Sequence, residues 1–154
     1  MIRLKSKEEI EILKEGGRRH AEILKKVASL VSPGISTQTL EDEARRLIEE
    51  GGDEASFLGY TPEGAKRPFP AALCVSINEE IVHGIPNEGE RIIKEGDIVS
   101  LDLGLVHKGL FTDSAITVPA GKISKEAREL INATRTALEK GLSAISLNGR
   151  IGDI

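Results

Sequence analysis

Residues 98–118, IVSLDLGLVHKGLFTDSAITV, constrain this chain more than any other segment. Two runs in which aliphatic residues alternate with small or polar ones flank Lys108 and Gly109, the pattern of two antiparallel strands joined by a tight turn. Each run carries an aspartate, Asp102 in IVSLDLG and Asp113 in LFTDSAITV. Aspartate is a poor strand former, and like charges set opposite each other in a sheet are destabilising. If His107 and Lys108 form a two-residue turn, Val106 faces Gly109 and Asp102 faces Asp113 on one side of the hairpin, with Cβ atoms about 5 Å apart. A bulge at Gly109 would shift that pairing by one residue. Such a pair is relieved by solvent or lysines, by a shared proton, or by a divalent cation, and a cation taking hard oxygen ligands relieves it best.

Around this hairpin the pattern predicts an α+β domain on a mostly antiparallel sheet with flanking helices. LCVSI and EIVHGI read as further strands between Gly, Pro and Asn, and residues 59–70, with three prolines and two glycines, read as an irregular loop. Ser6 and Glu9 form a capping box for a first helix. Its apolar stripe is Ile10, Leu13, Gly17, Ala21, Leu24, Ala28 and Val31, and Pro33 and Gly34 stop it. Ser36 or Thr37 caps a second helix with Leu40, Ala44, Leu47 and Ile48 inward and Gly51 and Gly52 as the stop. A last helix is expected from Ser124 to about Gly141, with Ala127, Leu130, Ile131, Thr134 and Leu138 on its inner side.

At 154 residues the chain is the size of one domain or a piece of one. Twenty-one Lys+Arg against 25 Asp+Glu leave a net charge of −4, and there are three Phe, one Tyr and no Trp. That balance argues against nucleic acid, which calls for a basic stripe and stacking platforms. No apolar run approaches the ~18 residues of a membrane span. MIRLKSKEEI lacks the apolar centre of a signal peptide, and the lone Cys74 cannot pair internally, so a reducing cytoplasm is the expected location. His83, in INEEIVHGIPNEG, lies after an apolar run and before Gly84, Ile85 and Pro86, a place for a ligand, proton shuttle or substrate contact. Asp97 in KEGDIV reads as a structural turn residue. His20, on the charged side of the first helix, and His107, in the turn, read as surface or satisfied core residues.

The segments KSKEEIEILKEGGRRHAEIL, FLGYTPEGAKRPFPAALCVSINEEIVHGIPNEG and IIKEGDIVSLDLGLVHKGLFTDSAITV resemble the type I methionine aminopeptidases, SINEEIVHGIP above all. The resemblance implies the creatinase/aminopeptidase (pita-bread) fold, two pseudo-symmetric α+β halves with a dinuclear metal centre between them. It implies removal of the initiator methionine from nascent proteins by water activated on two divalent ions (cobalt, manganese, iron or zinc). Asp102 would chelate one ion and Asp113 would bridge both. His83 would contact the substrate near the scissile amide, and Phe57, Tyr60, Phe69, Cys74 and His83 would line the methionine pocket. The family completes its site with a histidine in a G-H-G-x-G segment and two glutamates, none of which can be placed here. Residues 1–154 are therefore expected to be the amino-terminal part of the catalytic domain, inactive alone, associating with a separate carboxy-terminal half or with itself. The competing expectation is a non-catalytic pita-bread module that binds peptides or proteins. A module of that kind has no need of paired strand carboxylates.

Overall fold

The computed structural model describes residues 3–154. Alternation along the central strand decides the architecture. In β3 (Ile98–His107), Leu101, Leu103 and Leu105 are fully buried, while Asp102 and Val106 at alternate positions are only half-buried. Residues two apart share a face, so one side of the strand is a leucine ridge and the other carries Asp102, Gly104 and Val106. β4 (Leu110–Pro119) pairs antiparallel with one edge of β3. The other edge takes β2 (Leu73–Ile77) and the two-residue β1 (Glu54–Ala55). The sheet is antiparallel throughout, as expected.

Helices α1 (Lys7–Leu30) and α2 (Thr37–Glu50) cover the leucine ridge. Val27, Leu40, Ala44, Leu47 and Ile48 meet Leu73, Val75, Leu101, Leu103 and Leu105 in one core. Each such leucine contributes about 1.5–3 kcal/mol relative to exposure. The capping box of Ser6 and Glu9 forms, the Glu9 amide donating to Ser6 Oγ at 3.1 Å and the Ser6 amide to Glu9 Oε2 at 2.7 Å. Within α2 the four expected inward residues are buried, and Glu41 is buried with them. The amides of Ala72 and Leu73 donate to Glu41 Oε1 and Oε2 at 2.8 and 2.9 Å, which fixes the start of β2 on the helix.

Four expectations are corrected. The buried stripe of α1 runs through Gly16, His20, Ile23, Leu24 and Val27, with Ala21 exposed. The face is turned because His20 enters the interior through hydrogen bonds to the Thr112 and Ser114 hydroxyls on β4, at 3.1 and 3.0 Å. His107 is not in the turn but ends β3, buried, with Nδ1 2.7 Å from Asp53 Oδ1, and Arg19 Nε donates to the other oxygen at 2.7 Å. EIVHGI forms no strand: His83 takes φ +60°, which ends extended pairing, and Ile81 and Val82 are exposed. Finally, α3 (Lys125–Ala144) buries no residue fully, and its expected inner residues Leu130 and Leu138 are exposed. A 3-10 turn, Ile151–Asp153, follows it.

Candidate metal and substrate site on the open face of the sheet

The turn between β3 and β4 sets the geometry of the carboxylates. Lys108 and Gly109 both have positive φ, +48° and +78°, the requirement of a type I′ turn. The turn is centred there and not on His107 and Lys108, so His107 pairs with Leu110, Asp102 with Ala115 and Gly104 with Asp113. The direct opposition of Asp102 and Asp113 is thus corrected to a diagonal relation. Moving a turn centre by one residue moves the register by two, which preserves the face, and both carboxylates still lie on the open side. Burial raises the Asp102 pKa. The charge of Asp113, and a hydrogen bond that protonated Asp102 can make to it, push the same way, while His83 opposes them. The pair is held under electrostatic tension that positive charge would relieve.

Beside Asp102, directly across on β2, stands Cys74. Burial first, then the charges of Asp102, Glu41 and Asp113, push its thiol up to about 12, so it remains a neutral, weakly polar wall. Two glycines bring the rest of the wall to this point. A Cβ on Gly104 would lie 1.9 Å from Ser56 Oγ and 2.8 Å from the Phe57 ring, so only glycine lets that segment cross the sheet. The Ser56 amide donates to Gly104 O at 3.0 Å. A Cβ on Gly84 would lie 2.1 Å from Val75 O, and the Val75 amide donates to Gly84 O at 2.9 Å. This contact along β2 carries the neighbouring His83 over the open face.

Phe57, Tyr60, Pro62, Phe69, Cys74 and His83 together line a pocket of about 320 Å³. The rings of Phe57 and Phe69 meet edge to face with centroids 6.4 Å apart, a favoured arrangement. The structure therefore brings together all five residues named from the sequence for such a pocket. It adds Pro62, whose only sequence signal was its place in the proline-rich loop. Asp97 caps a turn, accepting from the Lys94 amide and from Asn78 Nδ2, each at 2.8 Å.

Asp102 and Asp113 fit two positions of a divalent site, because hard carboxylate oxygens crowded on one face are what such an ion neutralises. Among the described residues no group of three or more His, Cys, Asp or Glu is placed to hold a metal.

An antiparallel sheet backed by helices, with carboxylates and an apolar pocket on its uncovered face, is one half of the creatinase/aminopeptidase, or pita-bread, class of fold. Solved structures superpose accordingly. Methionine aminopeptidase from Thermotoga maritima matches with a TM-score of 0.85 and 37% identity, over 95% of this chain and 56% of that one. Xaa-Pro dipeptidase from Bacillus anthracis matches with a TM-score of 0.72 and 25% identity, over 90% and 35%. The chain belongs to metallopeptidase family M24, whose pattern matches residues 11–154. It is 46% identical to a methionine aminopeptidase of Aquifex aeolicus over 99% of its own length. It is 40% identical to methionine aminopeptidase 1 of Bacillus subtilis over its whole length. In both comparisons the chain spans 59% of the relative.

Proposed function

We propose that residues 1–154 form the amino-terminal part of a methionine aminopeptidase catalytic domain, the part that recognises the first side chain of a peptide and supplies two metal ligands. The observation that carries this reading is the position of the apolar pocket directly beside Asp102 and Asp113. An unbranched methionine side chain suits a pocket walled by aromatic rings and a neutral thiol. With that side chain between Phe57, Phe69 and Cys74, the first peptide bond falls by His83 at the pocket edge, within reach of the carboxylates. His83 then contacts the scissile amide, while Asp102 and Asp113 would serve as carboxylate ligands to the divalent ions. Two divalent ions, when bound, supply an activated water and polarise the carbonyl. The remaining histidine and glutamate ligands come from residues outside this chain, so the chain alone is inactive and works with a carboxy-terminal half. Its partner is the amino terminus of a nascent chain or peptide beginning with Met, in the cytoplasm. Among the described residues no helix is long and apolar enough to cross a membrane.

The test mixes the chain with manganese or cobalt and a Met-Ala peptide, with and without a polypeptide carrying the family's G-H-G-x-G half, and follows free methionine. Release only from the mixture is expected. Release by the chain alone would refute the partial donor set, and no release from demonstrably associated halves would favour the non-catalytic binding module.

A further inference from the structure

Resting on the methionine reading of the pocket, we propose that residues 60–69 form a strap over it, held by the ion pair of Arg67 with Glu88. On this view these two surface residues fix the width of the pocket and thus the side chain it admits. The segment is a small closed excursion. The Gly59 amide donates to Phe69 O at 2.9 Å and the Phe69 amide to Tyr60 O at 2.8 Å, which pinches its base. The base is anchored again at Pro70, whose carbonyl accepts from the Arg45 guanidinium at 2.8 Å and from Asn87 Nδ2 at 2.9 Å. The tip has no such support. Residues 61–68 are exposed, and the Ala65 amide donates only within the tip, to Pro62 O at 3.0 Å. Among the described residues, Arg67 with Glu88 is the one polar tie from the tip to the rest of the molecule.

The placement of this tie gives it leverage. Tyr60, Pro62 and Phe69 are on the strap, and Cys74 and His83 are on the body facing them. Glu88 lies on the loop that carries His83, and both residues border the same recess. The ion pair therefore spans from the strap to the body, and neither Arg67 nor Glu88 lines the pocket. Arg67 and Glu88 are positioning residues. An exposed ion pair is a weak spring, and salt weakens it further, so the strap is adjustable and its latch sensitive to ionic strength.

The chain has one tyrosine and no tryptophan, so its intrinsic fluorescence reports Tyr60 alone. Acrylamide quenching of Tyr60 is measured for the unaltered chain, Arg67→Ala, Glu88→Ala and the reversed pair Arg67→Glu with Glu88→Arg, at low salt and at about 1 M NaCl, where the Debye length is about 3 Å. Each single variant should raise the quenching constant about twofold and lose its salt dependence, and the reversed pair should restore both. L-methioninamide should protect Tyr60 in the unaltered chain and bind about two- to fivefold more weakly to the single variants. L-phenylalaninamide should lose less. Equal quenching in all four proteins, or a reversed pair that behaves like the single variants, overturns the proposal. If the quenching pattern appears but L-methioninamide never protects Tyr60, the methionine reading falls and the latch stands.

Discussion

At the scale of single residues, His20 shows how a polar group becomes part of an apolar interior. Its ring is 2% exposed and is held at both nitrogens by hydroxyls, Thr112 at Nδ1 and Ser114 at Nε2. A neutral imidazole suits that setting, donating at one nitrogen and accepting at the other. Burial lowers its pKa below the usual 6.5, with the charge of Asp113 acting against that shift. A base whose folded pKa is depressed binds its proton more readily when unfolded. The stability it supports is therefore complete above about pH 6.5 and declines as pH falls through that value toward the folded pKa. In urea unfolding between pH 8 and 5, the chain should lose stability with a slope of up to about 1.4 kcal/mol per pH unit from this group. His20→Gln should remove that component. Parallel curves for the two proteins would show that His20 titrates alike folded and unfolded.

At the scale of elements, legibility in the sequence followed the range of the forces involved. The inward residues of α2 were readable because their spacing alone places them on one face, and the capping box because its partners are three residues apart. The true face of α1 was not readable, since His20 turns inward only in response to hydroxyls more than ninety residues later. The hairpin register hung on which residue joins Lys108 in the turn with positive φ, and Gly109 does so where His107 was the candidate. EIVHGI has the composition of a strand, but its extended path is broken at His83, and Gly84 must press against Val75. The pocket residues were named through the family resemblance, because their meeting depends on two close backbone approaches that no periodicity encodes. Gly104 is the clearest of these. Gly104→Ala should push Ser56 and Phe57 off the sheet, cost about 1–3 kcal/mol in urea unfolding and increase acrylamide access to Tyr60. Gly17, in α1 with nothing within 4 Å of an added Cβ, is the control: Gly17→Ala should stabilise by roughly 0.5–1 kcal/mol. Wild-type stability and Tyr60 access in Gly104→Ala would show that the wall does not depend on this contact.

At the scale of the whole molecule, the surface is larger than that of a compact monomer of the same mass. The described chain exposes 10351 Å², whereas a compact monomer of 16.6 kDa exposes about 7,600 Å². The excess lies in the size range of an obligate interface, and its location is visible in α3. Leu130 and Leu138, 58% and 62% exposed, lie on that helix with Leu142 and Ile145 beyond them. Ile131, Thr134 and Leu138 border an open groove against Ala21 and Leu24 of α1 and Ile116 of β4. A helix stabilised chiefly by its apolar face needs that face covered, and an exposed patch of this kind marks an association surface or an aggregation liability. The chain by itself should therefore self-associate at micromolar concentration in sedimentation velocity. Leu130→Glu with Leu138→Glu should shift it toward monomer and leave the unfolding of the α1, α2 and sheet core unchanged, since neither leucine is buried in that core. Adding a carboxy-terminal half should compete with self-association in the unaltered chain and fail to bind the double variant. A monodisperse, soluble monomer of the unaltered chain would mean that the groove closes on itself in solution, and that the surface excess is not an interface.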